Sequence, residues 1–364
     1  EKDFVKHLRT RDKNVIAKAR ESDTTLIHDN GEEYDFSKFN LDHHQEGGAG
    51  KRENGVEYAA AGLVWKHFGK EWIAYIDAYG RNNHLLDKSQ IEPIQGKTGG
   101  KNIPFDSKYG ALDKLPGNLD RYKAKLTDEE IDLIWKKMDE SYIQLIDAND
   151  TGQMTDVTYS MKNGPDLHGN QFTLTEMVRL LNVDAHDGRD HEMRFKQAVE
   201  MVRVVTLGMV NKYIDLVEGL RKFEIKKCEF SADNKTVIID QILPPEVQAH
   251  LISSDERFKD VEFFAYKNGK GLYSMSVAPI AEGVKQYRNP AMFPQVLRGG
   301  NNTTPMNELI GVENGIQFAH ANGFFAICNT KEAAKKFLEL CESESVPAKA
   351  PERKAGEGSY SWPH

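Results

Sequence analysis

The sequence predicts an α/β protein in two lobes: an N-terminal α/β lobe over residues 1–220 and a smaller C-terminal α+β lobe over 221–342, followed by a tail. Three observations carry this. Early in the chain, short β-rich runs that end in turn signals give way to apolar residues at helical spacing. A long helical pattern from about His191 to Arg221, with Phe195, Ala198, Met201, Val202 and Val205 on one face, spans or joins the halves. Beyond it the pattern changes to a succession of short strands. A length of 364 residues suits two domains of ordinary size.

The first strand is expected over Thr24–His28, ending at the turn signal Asp29-Asn30-Gly31. An acidic and aromatic segment, Glu32–Phe39, leads through Asn40-Leu41 to Asp42-His43-His44-Gln45. Gly47-Gly48-Ala49-Gly50 then breaks regular structure, which leaves the two histidines at the mouth of a flexible loop. Apolar positions from Val56 to Phe68 follow helical spacing, with Gly69 as the expected stop. Residues 81–125 lose this periodicity and read as a long excursion.

Periodicity resumes at Thr127-Asp128-Glu129-Glu130, a capping box. The stripe Ile131, Ile134, Trp135, Met138, Tyr142 and Leu145 follows, in a helix expected to end close to Asp147, with Asp150 in the next loop. In the second half, strands are expected at Lys227–Phe230, Thr236–Asp240, Val261–Lys267, Gly271–Ala278, Ile316–His320 and Phe324–Cys328, in an antiparallel arrangement. A helix over Thr330–Cys341, N-capped by Asn329, completes the lobe. Residues 343–364 have the composition of a disordered tail.

Acidic residues outnumber basic ones by 56 to 48, for a formal charge of -8, so no global positive field attracts nucleic acid. Any polyanion must be met locally, and a bound metal pair supplies such charge. Cys228, Cys328 and Cys341 fit no metal or redox spacing and read as small buried hydrophobes in a reducing compartment. No run approaches the ~18 apolar residues of a membrane span. The chain is therefore expected to be intracellular.

Asp42-His43-His44 places a carboxylate and two imidazoles together, a donor set that suits manganese, zinc or magnesium-type ions. Asp29 sits where a strand ends, and Asp42–His44 follow a second apolar segment, so both fit one sheet edge, the usual ligand crevice of open α/β sheets. Asp150, also at an element end, completes a dispersed set of the kind two-metal phosphoester hydrolysis needs. His67 reads as a hydrogen-bonded core histidine and Asp147 as a helix-terminal group. Asp184-Ala185-His186-Asp187 reads as a solvated loop, and Lys331, Lys335 and Lys336 as a solvated helix face.

Several blocks together resemble the melanocyte proliferating gene exonuclease family, relatives of the DHH phosphoesterases named for the Asp-His-His motif. They are Gly31-Glu32-Glu33-Tyr34-Asp35, Leu41-Asp42-His43-His44-Gln45, Ala60–Gly69, Ile146–Gly152 and Phe318–Phe324. The resemblance implies a DHH-like N-terminal lobe holding two ions, usually manganese, with magnesium or zinc as alternatives, and a C-terminal lobe gripping nucleotide or RNA. It implies Asp29, His43 and Asp150 as metal ligands and His44 as phosphate donor or general acid. Asp42 would orient its histidine neighbours, while Arg298, Gly299 and His320 would contact substrate.

The activity so implied is metal-dependent trimming of RNA or short oligonucleotides from an end. The alternatives are hydrolysis of a small phosphate compound and non-catalytic RNA or nucleotide binding. Relatives in nucleated cells are associated with mitochondria and nucleus, and bacterial ones with cytoplasm; an oligomer is compatible with the sequence. The family's first histidine and aspartate motif has no counterpart here, where the chain begins at Glu1; a full metal site would need upstream residues, and a non-catalytic binder is the alternative if there are none. His28 stands where the family has an apolar residue and is the alternative ligand to Asp29.

Overall fold

A computed structural model describes residues 8, 10–22, 24–79, 125–154, 158–159, 167–168, 173–181, 191–280 and 286–343. The expected excursion over 81–125, apart from Lys125, lies outside them, as do the Asp184–Asp187 loop and the tail from 344 on. The protein is mixed α/β and divides into two compact units, Glu1–Ile214 and Asp215–His364.

In the first unit, α1 (Lys13–Arg20) precedes a small sheet of β1 (Ile27–His28), β2 (Tyr34–Asp35) and β3 (Asn40–Leu41). Its order is β1-β3-β2, with β1 parallel to β3 and β2 antiparallel to it. The helix α2 (Ala60–Tyr79) covers this sheet, burying Leu63 against Leu41 and Ala49.

Gly69 is not the stop that the sequence suggests, because α2 runs ten residues past it. A Cβ there would stand 2.7 Å from Trp65 Cδ2 and 2.9 Å from Trp135 Cδ1, so the glycine permits close packing of α2 on α3 (Asp128–Met138). The two indoles lock this contact reciprocally, each Nε1 donating to the other's carbonyl oxygen at 3.3 and 3.1 Å. Gly69→Ala is expected to destabilise the protein by about 1–3 kcal/mol through overpacking, despite alanine's better helix propensity. Urea unfolding measures the difference.

The capping box at Thr127 and Glu130 forms with both bonds present. The helix does not end near Asp147. It passes through a π-helical turn, Asp139–Ile143, and continues as α4 (Gln144–Asp150). Then come the pair β4 (Thr158–Tyr159) and β5 (Leu167–His168), α5 (Leu174–Leu181) and α6 (His191–Lys222), within which the two units divide.

The second unit is built on six strands: β6 (Cys228–Phe230), β7 (Thr236–Ile242), β8 (Phe263–Lys267), β9 (Tyr273–Val277), β10 (Ile316–Ala319) and β11 (Phe325–Cys328). Their order is β10-β11-β9-β8-β7-β6. All neighbours are antiparallel except β7 and β8, which corrects the expectation of a purely antiparallel sheet. A parallel pair needs a crossover, and α7 (Pro245–Ser254) provides it, started by Pro245 in the first turn.

The short helix α8 (Thr304–Ile310) and α9 (Lys331–Glu342) complete the unit, with Phe337 and Leu338 of α9 in its core. The N-cap of α9 is Thr330 rather than Asn329, its side chain accepting from Ala333 N at 3.1 Å. Cys328 is buried, and burial pushes its thiol up to about 12, which makes it an inert core residue. Among the described residues no helix is long and apolar enough to cross a membrane.

His67 sits on α2 with Nε2 2.8 Å from the Tyr34 hydroxyl and its ring stacked on Phe36, at a centroid distance of 3.6 Å. Burial, with Lys66 adding to it, lowers its pKa to about 4. Between the usual 6.5 and 4, the unfolded chain binds a proton that the folded chain refuses. His67 therefore costs stability as pH falls through that window, by at most roughly 3 kcal/mol, with no further change below pH 4. His67→Phe is expected to flatten this slope in urea unfolding measured from pH 7 to 4.

Candidate metal centre

Parallel pairing of β1 and β3, with His28 opposite Leu41, brings their carboxyl ends to one edge of the small sheet. Asp29 leaves β1 there with φ at 59°, a left-handed conformation that aspartate tolerates better than most residues. Its amide donates to Leu41 O at 3.2 Å. Asp42 leaves β3 at the same edge. Its side chain is fully buried and accepts from Glu32 N, His43 N, His44 N and His44 Nδ1 at 2.5, 2.7, 3.2 and 2.6 Å.

Burial alone would raise the Asp42 pKa, but the His44 bond and the backbone amides outweigh it, so the carboxylate stays ionised. With four donors upon it, Asp42 serves to fix the two histidines. His44 is half-exposed, and its pKa is raised, chiefly by the bond to Asp42.

His43 is the centre of the cluster, its side chain only 9 % exposed. Nδ1 lies 3.8 Å from Asp29 Oδ1 and 3.9 Å from Asp42 Oδ1, while Nε2 lies 3.6 Å from Asp150 Oδ2. These distances are too long for hydrogen bonds, and Nδ1 is buried without a hydrogen-bond partner. Burial raises the pKa of Asp150, and the like charge of Asp29 adds to the shift. A cation beside these carboxylates would relieve that repulsion.

Asp150 is held by a network that sequence reasoning missed. Arg52 donates from Nε and Nη2 to Asp139 at 2.8 Å each and pairs through Nη2 with Asp147 at 2.8 Å. Asp147 also accepts from Gly62 N near the start of α2, at 2.8 Å, meeting one of the open amides of that helix end. Arg52 and Asp147 are both buried, and burial raises the Asp147 pKa even beside the guanidinium. The π turn lies between Met138 and Gln144 and contains Asp139. One buried cation thus fixes the loop after the histidines to the helix that ends on Asp150. Three charged residues at separations of 87 and 95 positions give no local signal.

The residues fit a divalent cation. Donor atoms of Asp29, Asp42, His43 and His44 lie within 4.8 Å of one another, and the set is nitrogen and oxygen only. The unpartnered buried Nδ1 is the observation that favours an ion over a self-satisfied cluster. His28 is exposed on β1 and stands outside this group. Asp29, Asp42, His43, His44 and Asp150 therefore come together in the first unit.

Arg298, Gly299 and His320 lie in the second unit. Arg298 donates from Nε and Nη2 to the carbonyls of Phe293 and Ala291, both at 2.6 Å, so two arms of its fork are spent on its own loop. Gly299 and Gly300 donate to Ala319 O at 3.3 and 2.7 Å, which sets this segment beside His320. His320 Nδ1 accepts from Asn322 N at 3.0 Å, so the neutral ring carries its proton on Nε2.

Fold and site define a two-unit α/β protein with a histidine and aspartate cluster at the carboxyl edge of a parallel strand pair, suited to divalent metal. The model of the family MYG1_exonuc, described as "Uncharacterised protein family (UPF0160)", matches residues 3–341, and the chain belongs to this family. It is similar to the "MYG1 protein" of Dictyostelium discoideum, with 24 % identity over 90 % of this chain and 85 % of the relative. It is also similar to "MYG1 protein YER156C" of Saccharomyces cerevisiae, 20 % identical over 86 % of this chain and 82 % of that one. No solved structure shows significant similarity to the chain. The family's name suggests a nuclease-type function.

Proposed function

We propose that this protein is a metal-dependent phosphodiesterase that trims RNA or short oligonucleotides from an end, using two ions, manganese in preference to magnesium or zinc. The observation that carries this is the arrangement around His43, a buried imidazole with an unpartnered nitrogen and carboxylates toward both of its nitrogens. Asp29, His43 and Asp150 are the ligands. Bound ions there supply positive charge to the phosphate oxygens and acidify water at neutral pH.

The chain's own groups divide the remaining work. A neutral imidazole has one lone pair, so His43 would hold an ion through one nitrogen and keep its proton on the other, which faces a flanking carboxylate. Asp42 holds His44 by Nδ1, which leaves Nε2 as the donor toward a substrate phosphate in the cavity that His44 lines. The raised His44 pKa favours the protonated ring that such a donor or general acid needs. In the second unit, Gly299, Arg298 and the Nε2–H of His320 are the nucleotide contacts of this reading.

With a labelled single-stranded RNA, the full chain is expected to shorten the substrate from one end, to lose this activity in EDTA and to regain it with manganese. Failure to cleave any oligonucleotide at saturating manganese contradicts the proposal.

A further inference from the structure

The cavity beside His43 extends past the histidine and carboxylate cluster. It measures about 340 Å³, and the turn Gly47–Gly50 with Lys51 forms much of its wall. That volume is at the small end of the range for ligand pockets, roughly 300–1,000 Å³, and exceeds what one phosphate group fills.

The turn is braced by Gln45, whose side-chain Nε2 donates to Gly48 O at 2.8 Å while its backbone carbonyl accepts from Gly48 N at 2.9 Å. Gly47, Gly48 and Gly50 have φ of 84°, 67° and 92°, and nothing stands within 4 Å of where a side chain would begin on any of them. The wall is therefore bare backbone. Among the described residues, the amides of Gly47 and Ala49 donate to no protein acceptor. Neighbouring free amides in a left-handed turn make a concavity that receives anions.

Lys51 lies on the same wall, and its Nζ is 2.8 Å from Glu57 Oε1. The other charged side chains that line the cavity, apart from the histidines, are the carboxylates Asp150 and Glu57. Away from bound metal, an anion at this end of the cavity meets the turn amides and Lys51, while His44, Tyr58 and Thr151 line the rest.

We propose that the Gly47–Gly50 turn and Lys51 form a second phosphate subsite, which holds the phosphate next along the strand from the one under attack at the metal cluster. This rests on the phosphodiesterase reading and narrows it, because the favoured substrate is a nucleotide chain with at least two phosphates rather than a simple phosphate ester.

The test compares the dinucleotide ApA with pApA and ApAp, which carry an added 5′ or 3′ phosphate, as substrates of the full chain with manganese. One phosphorylated form is expected to show a KM about tenfold below that of ApA, the effect of a charge-assisted contact. Lys51→Ala should bring that ratio to within about twofold, and Lys51→Arg should preserve it. Equal KM values for all three, or a ratio that Lys51→Ala leaves intact, would overturn the subsite.

Equilibrium binding of the same dinucleotides with calcium in place of manganese separates the subsite from the catalytic reading. A Lys51-dependent preference in binding, with no hydrolysis, keeps the subsite and removes the nuclease. Hydrolysis of all three with equal KM keeps the nuclease and removes the subsite.

Discussion

His43→Asn is expected to lower kcat/KM on a single-stranded oligonucleotide by about a hundredfold or more at saturating manganese. The imidazole stands between Asp29 and Asp150, at 3.8 and 3.6 Å. Removing even an outer partner of a metal ligand costs about 10–100-fold, and removing one preorganised electrostatic contact about 10²–10³. Steady-state kinetics at several manganese concentrations checks the result. Recovery of full activity at high manganese would mean that His43 only tunes affinity, and a change below about threefold would remove it from the site.

The largest expected effect on stability is at Arg52. Arg52→Met would leave the buried carboxylates of Asp139 and Asp147 without their cation, and breaking one side of a buried ion pair costs about 3–5 kcal/mol. For a unit of this size that is a fall in Tm of roughly 6–20 °C. The sign of its pH dependence follows from Asp147. Its pKa is already raised by burial and would rise further without the guanidinium, so the deficit of the variant should shrink as pH falls and the carboxyl takes up a proton. Calorimetry of both proteins at pH 7.5 and 5.5 measures this. Asp150 is carried by the same helix, so the variant should also lose metal affinity.

The local part of the site was legible in the sequence. Asp29 after a strand and Asp42-His43-His44 after another meet at one edge because β1 and β3 pair in parallel, as sheet-edge reasoning anticipates. The division of labour between Asp42 and His43 depends on backbone amides closing on Asp42, a feature of turn geometry that residue types do not encode. The continuation of the helix to Asp150 was missed because a π turn shifts the apolar stripe without any residue that marks a stop. Gly69 misled in the same sense, since a glycine that ends a helix and one that admits a neighbouring tryptophan look alike in one dimension. In the second unit each strand was visible from composition, while the parallel β7–β8 pair depended on recognising α7 behind two prolines. Residue type, which suggests Arg298 as a phosphate contact, does not show that its Nε and Nη2 also donate to loop carbonyls.

The central claim is that the cluster around His43 binds catalytic metal, and metal content tests it most directly. Intact protein loaded with manganese, dialysed and analysed for bound ion is expected to carry two ions per chain, with losses in Asp29→Asn, His43→Asn and Asp150→Asn. Fewer than one ion per chain in the unsubstituted protein would contradict the account.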